Sequence, residues 1–144
     1  MRGREGAREV VVYSDYECPY CAAVDQRLSA LDLRLVHRHF PVRSKHPRAW
    51  AASAAAEAAV LQGAFWPMHD ALFADQGRLE DPHLWARAEA LGLDVGRFDA
   101  DRRGEEVVAR IQADFDGAIR AGVASTPALF GAGGERLAVA QLEG

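Results

Sequence analysis

Residues 9–21 read Glu-Val-Val-Val-Tyr-Ser-Asp-Tyr-Glu-Cys-Pro-Tyr-Cys. The β-branched and aromatic run at 9–13 suits a buried strand. From Pro19 the pattern turns helical, with Cys21, Val24, Leu28 and Leu31 sharing one face at 3.6-residue spacing. Proline is well placed in a first helical turn, where an N–H has no intrahelical partner to lose. Cys18 therefore stands at the N-terminus of a helix that follows a strand. Residues 33–40, Leu-Arg-Leu-Val-His-Arg-His-Phe, read as a second strand that Pro41 ends. A right-handed crossover makes the two strands parallel.

Beyond this unit, residues 47–121 read as helical throughout, and 1–144 as one domain of ordinary size. The stretch Trp50 to Leu61 is rich in alanine, the best helix former, and Gly63 closes it. Phe65 to Phe73 forms a short second helix. Asp81 is expected to cap a third, with Pro82 at its first position, Trp85, Ala88 and Leu91 on its inner face, and Gly92 at its end. A short helical piece follows Asp94. The last helix of the block carries Val108, Ile111, Phe115 and Ile119 as its apolar stripe and ends at Gly122. Ala128 to Phe130 then makes a short strand, Gly131 to Gly134 a turn, and Arg136 to Ala140 the returning hairpin arm. The order βαβ, helical block, ββ gives an α/β fold with a four-stranded mixed sheet and a helical insertion, about 47–121, between its second and third strands. The aromatic residues Phe65, Trp66, Phe73, Trp85 and Phe115 fall at helical spacing and read as core.

The chemistry lies in Cys18-Pro19-Tyr20-Cys21, the chain's two cysteines. Two cysteines are too few for a disulfide framework, so their spacing points to redox chemistry or to a metal. A disulfide is attacked by thiolate, and a helix start offers unpaired N–H groups and the positive end of the helix dipole to stabilise that anion. Cys18 holds this position and Cys21 lies one turn on, so the outer thiol attacks and the inner one resolves the mixed disulfide. Pro19 stiffens the turn, and Tyr20 is placed to shield or hydrogen-bond a sulfur. Asp15 and Glu17 flank the pair, where a carboxylate raises a thiol's pKa or assists proton transfer to Cys21. Glu17 reads more simply as a solvated surface charge.

Half of a zinc site is the competing reading. His37 and His39 share one strand face, and with Cys18 and Cys21 they complete a tetrahedral ligand set. Zinc pairs normally sit on a turn, however, and structural sites space their histidines as H-x₃₋₅-H. The redox reading is preferred, with the two histidines as polar residues along a strand.

Composition narrows the partners. The 144 residues are 49% hydrophobic and 26% charged with a formal charge of −4, the balance of an ordinary globular chain and not of a general nucleic-acid binder. No run of 18 or more apolar residues occurs, so no membrane span is expected. The amino end has the charged start of a secretory signal without its apolar stretch, and on this reading the chain is cytoplasmic.

Several segments also resemble one family. Ser14-Asp15-Tyr16-Glu17-Cys18-Pro19-Tyr20-Cys21 is similar to the active-site entry of the DsbA-like thioredoxin-fold proteins, and Arg38-His39-Phe40-Pro41-Val42 resembles their second strand with its following proline. Gln62-Gly63-Ala64-Phe65-Trp66-Pro67-Met68-His69-Asp70-Ala71-Leu72-Phe73 looks like the family's Q-G-x-F-W-x-x-H-D-x-L-F signature. Leu91-Gly92-Leu93-Asp94 and Gly122-Val123-Ala124-Ser125-Thr126-Pro127 follow in the expected order. The resemblance implies a thioredoxin-like fold and a disulfide oxidoreductase that exchanges with protein thiols and disulfides or glutathione, using no cofactor beyond its own thiols. It makes Cys18 the nucleophile, Cys21 the resolving thiol, and Thr126-Pro127 the opposing loop, with Pro127 after a cis bond and the Thr126 backbone able to pair with a substrate chain. The candidate site is thus Cys18, Cys21, Pro19, Tyr20, Thr126 and Pro127. Relatives usually carry a closing helix after the last hairpin, for which this chain is expected to have no room. A second copy covering that face would give a homodimer in place of a monomer. Relatives that use glutathione for conjugation or isomerisation typically have serine where Cys18 stands, which argues against that chemistry here.

Overall fold

The computed structural model describes residues Met1–Gly144. Strand β1 (Arg8–Ser14) leads into helix α1 (Pro19–Ser29) and returns as β2 (Leu33–His39). Helices α2 (Ala49–Val60), α3 (Phe65–Ala74), α4 (Asp81–Ala90), α5 (Val95–Asp101) and α6 (Glu105–Arg120) follow, and then β3 (Ala128–Gly131), β4 (Arg136–Leu137) and α7 (Val139–Glu143). The sheet runs β2-β1-β3-β4, with β1 parallel to β2, β3 antiparallel to β1 and β4 antiparallel to β3. This is the mixed four-stranded sheet with a helical insertion that the sequence implies.

Two cores sandwich the site. Against the sheet, Val24 and Leu28 of α1 pack with Val10, Leu33, Leu35 and Leu129. The larger core lies in the insertion, where the alanine face of α2 meets Met68, Leu72, Leu84 and Phe98. Alanine matters here beyond propensity, because its small side chain lets α3 and α4 lie close to α2. Tyr16, just past β1, is fully buried in this second core and joins it to the sheet.

Four details differ from the sequence reading. Helix α4 is entered from Glu80, so Pro82 takes its second position, and Trp85 stays exposed while Leu84 and Ala88 face inward. The buried face of α6 is Val107, Ile111, Asp114 and Ala118, one residue round from the expected stripe, leaving Val108 and Ile119 exposed. Asp114 sets that rotation by turning inward to accept the His39 backbone N–H at 3.1 Å. The hairpin arm is shorter than expected, since pairing stops at Leu137. In its place Val139–Glu143 form a closing helix for which no room was expected, with Val139 and Leu142 packed on the sheet core and Glu143 paired to Arg27 of α1.

Candidate active site

Cys18 is the N-cap of α1: its backbone is extended, and its Sγ accepts the Cys21 backbone N–H at 3.2 Å. A sulfur thus sits where Ser, Thr or Asp usually caps a helix, receiving an otherwise orphaned donor. Pro19 occupies the first turn, and Tyr20 projects from the surface, 60% exposed. Both thiols are free and mostly covered, Cys18 at 7% and Cys21 at 1% exposure. The turn before them is tied down from outside, as the Gln76 side-chain amide donates to the carbonyls of Tyr16 (2.9 Å) and Cys18 (2.8 Å).

Cys21 is the inner thiol in the electrostatic sense too. Burial pushes its pKa up from 9.0 to about 12, and the hydrogen bond with Cys18 adds to this. The hydroxyls of Thr126 and Ser14 and the Asp15 backbone pull the other way. Thr126 therefore meets the thiol pair although it lies more than a hundred residues along the chain. The Thr126–Pro127 peptide bond is cis. Gly122, at φ +81°, ends α6 so that the chain turns back into this loop.

The flanking carboxylates are structural. Asp15 is fully buried, and its oxygens accept the N–H of Glu17 (2.8 Å) and of Val42 (2.9 Å) and meet His46 Nδ1 at 2.8 Å. Glu17 is not a solvated charge: it accepts from the Arg48 backbone N–H (3.0 Å) and from Arg48 Nε (2.9 Å), satisfying the start of α2.

The zinc alternative is withdrawn, because no set joining Cys18 and Cys21 to His37 and His39 brings its ligand atoms together. Nor are the two histidines merely polar residues along a strand. His39 is fully buried with Nε2 2.8 Å from Glu57, and His37 stacks on Tyr16 with ring centroids 5.0 Å apart. Burial, then the neighbouring His39, His69 and Arg38 side chains, drives the His37 pKa well below 6.5.

Behind Cys21 lies a group absent from the sequence reading of the site. The Tyr16 hydroxyl and His69 Nδ1 are 2.8 Å apart, and His69 Nε2 is 2.8 Å from Asp25 Oδ1. Asp25 follows Cys21 by four residues on α1, a spacing that puts both on one helix face and was available in the sequence. Nothing local marked Tyr16 or Gln76, whose roles depend on how α3 packs.

A strand that presents two thiols at a helix start, across from a threonine–proline loop, defines a thioredoxin-fold dithiol protein of the DsbA-like kind. The chain belongs to the thioredoxin family, whose family model matches residues 1–141. It is similar to a thioredoxin-like oxidoreductase from Silicibacter pomeroyi, at 28% identity and TM-score 0.84 over 96% of this chain and 84% of that one. It is also similar to DsbA2 from Pseudomonas aeruginosa, at 27% identity and TM-score 0.71 over 94% and 81%. Among curated proteins it is 46% identical, over 139 residues, to part of the Na(+)/H(+) antiporter NhaA 1 of Salinispora arenicola, covering 90% of this chain and 21% of that one. The chain spans about a fifth of the length of the curated relatives it matches. No helix of this chain is long and apolar enough to cross a membrane.

Proposed function

We propose that the chain is a thiol–disulfide oxidoreductase that exchanges disulfides with protein thiols or glutathione through the Cys18–Cys21 couple. The observation that carries this reading is the sulfur cap: Cys18 Sγ takes the Cys21 N–H at the start of α1. A helix start offers such donors and the positive end of its dipole to sulfur chemistry, whether the sulfur is nucleophile or leaving group. Cys18 forms the mixed disulfide, Cys21 resolves it, and the Thr126 backbone beside cis Pro127 holds the substrate chain in β-like pairing. Pro19 and Tyr20 set the turn between the sulfurs.

Equilibrating the protein in graded glutathione buffers, quenching in acid and counting free thiols by mass spectrometry tests this reading. A reversible two-thiol transition is expected. A midpoint near about −270 mV fits a cytoplasmic reductant and one near about −120 mV an oxidant. Thiols that never pair would end the proposal.

The similarity to part of an antiporter favours a second, compatible reading: the domain acts on thiols of a membrane transport protein, joined to it or beside it. A Cys21→Ser variant that traps such a protein as a mixed disulfide in membranes supports it, and trapping of soluble partners alone removes it.

A further inference from the structure

Asp25 lines two spaces at once. One is a small cavity of about 10 Å³ lined by Cys21, Ser14, His37, His69 and Asp25, with Val12 and Trp66 among its apolar sides. That is about the room one water needs, and its lining offers the polar partners a buried water requires. One of them, His37 Nε2, is buried with no protein partner. The other space is an open groove on the surface, where Asp25 meets Gln26, Ser29 and the ion pair of Arg2 and Asp70. Asp25 thus joins the cavity beside the buried thiol to the solvent of this groove.

Its orientation is fixed from behind. Tyr16 is fully buried, and burial holds its phenol well above the ordinary range, so the hydroxyl donates to His69 Nδ1. That assigns the His69 proton to Nε2, which donates to Asp25 Oδ1. The second carboxylate oxygen is left to face the cavity or the groove.

We propose that Asp25 is the proton acceptor for Cys21 when the mixed disulfide is resolved, acting through one water in the cavity, with His69 and Tyr16 as its positioning residues. The step rests on the exchange reading above. Cys21 Sγ bonds to Cys18 Sγ, the bond from Cys18 to the substrate sulfur breaks, and that sulfur leaves with the electron pair as thiolate. The Cys21 proton passes through the water to Asp25 and out to the groove. The protein dithiol is oxidised and the substrate disulfide reduced; in the reverse direction Asp25 returns the proton. The charged and titratable groups around the path are Arg2, Asp70, His37 and His69, with Cys18 at its active-site end.

The test is the reaction of reduced protein with one equivalent of dithiobis-nitrobenzoate, followed by stopped-flow across neutral to alkaline pH. The first release of thionitrobenzoate reports Cys18 and the second reports resolution by Cys21. In Asp25→Asn the first release keeps its rate, and the second slows about a hundredfold at neutral pH and recovers as hydroxide replaces the acceptor. His69→Gln slows the second release less and displaces its pH profile. In the unaltered protein the second release carries a solvent isotope effect that the first lacks, a measurement that needs no substitution. A second release in Asp25→Asn with the parent rate and pH profile overturns the relay, as does absence of the isotope effect. An unaltered protein that gives no second release at all overturns the exchange reading itself, and the relay with it.

Discussion

At Cys21 the fold opposes the charge that the chemistry needs. Burial drives that thiol up to about 12, so at neutral pH it is overwhelmingly protonated and cannot attack until a group takes its proton. Cys18 caps the helix with an N–H on its sulfur, and in the proposed exchange it is the thiol a disulfide meets first. Replacing each sulfur with oxygen separates the roles. Cys18→Ser removes the attacking atom, and exchange with an insulin disulfide should fall to the uncatalysed rate. Cys21→Ser leaves the attack intact but removes the resolving group, so mixed disulfides should accumulate and be visible as slower bands on non-reducing gels. The inverse pattern, with covalent adducts in Cys18→Ser and none in Cys21→Ser, would mean that the inner thiol is the nucleophile. The residues around the pair work through position. Tyr16, His69 and Asp25 form one hydrogen-bonded line behind Cys21, each link 2.8 Å long.

At the scale of elements, the question is how the β1–α1 turn keeps its shape, and Asp15 is the answer. Its buried carboxylate ties the turn, through Glu17, to the segment after β2, through Val42 and His46. Asp15→Ala orphans two N–H donors, and at about 1.5–3 kcal/mol for a hydrogen bond to a charged group the net loss should be about 3 kcal/mol in urea unfolding. Exchange should slow as well, since Cys18 follows this turn by one helix cap. An Asp15→Ala protein as stable as the parent would show that the carboxylate only fills space. These ties also mark where the sequence stops being legible. Strands β1 and β2 were read to within a residue, because β-branched runs between turn residues need no tertiary context. The ends of α2, α4 and α6 were legible for a similar reason, as each runs into a glycine at positive φ. The face of α6 was not legible, because one buried Asp114 outweighed an alternative apolar stripe. Nor was α7, five residues long and held by its packing on the sheet and the pairing of Glu143 with Arg27. In the site, the cysteines and the Thr126–Pro127 loop were visible as motifs. Asp15 and Glu17 were visible as residues but not as anchors, since their partners lie 27 to 31 positions away.

For the whole molecule, the buried groups that shape the site also set limits on the pH range of stability. His37 is held well below 6.5 when folded, so below that pH the unfolded chain binds a proton that the native one refuses. Stability is then lost as pH falls from 6.5. Cys21 is held above 9.0, so above that pH the unfolded chain releases a proton that the native one keeps, and stability is lost as pH rises towards about 12. Tyr16, raised above 10.0, steepens the same alkaline limb from that point on. Asp99, held near 2 by the Trp85 indole N–H and then by Arg102 and Arg103, stays outside the first window and matters only at more acid pH. Unfolding free energy under reducing conditions should therefore be highest between 6.5 and 9.0, with each single-proton limb falling by up to about 1.4 kcal/mol per pH unit. The two limbs can be removed one at a time. Cys21→Ala should flatten the profile between 9.0 and 10.0, before Tyr16 contributes, and leave the acid side unchanged. His37→Phe, which keeps a ring against Tyr16, should flatten the side below 6.5 and leave the alkaline side unchanged. Urea titrations of the three proteins at each pH measure this directly. If Cys21→Ala kept the parent's alkaline slope, the resolving thiol would ionise as freely in the native state as in the unfolded one, and Cys21 would need no proton acceptor.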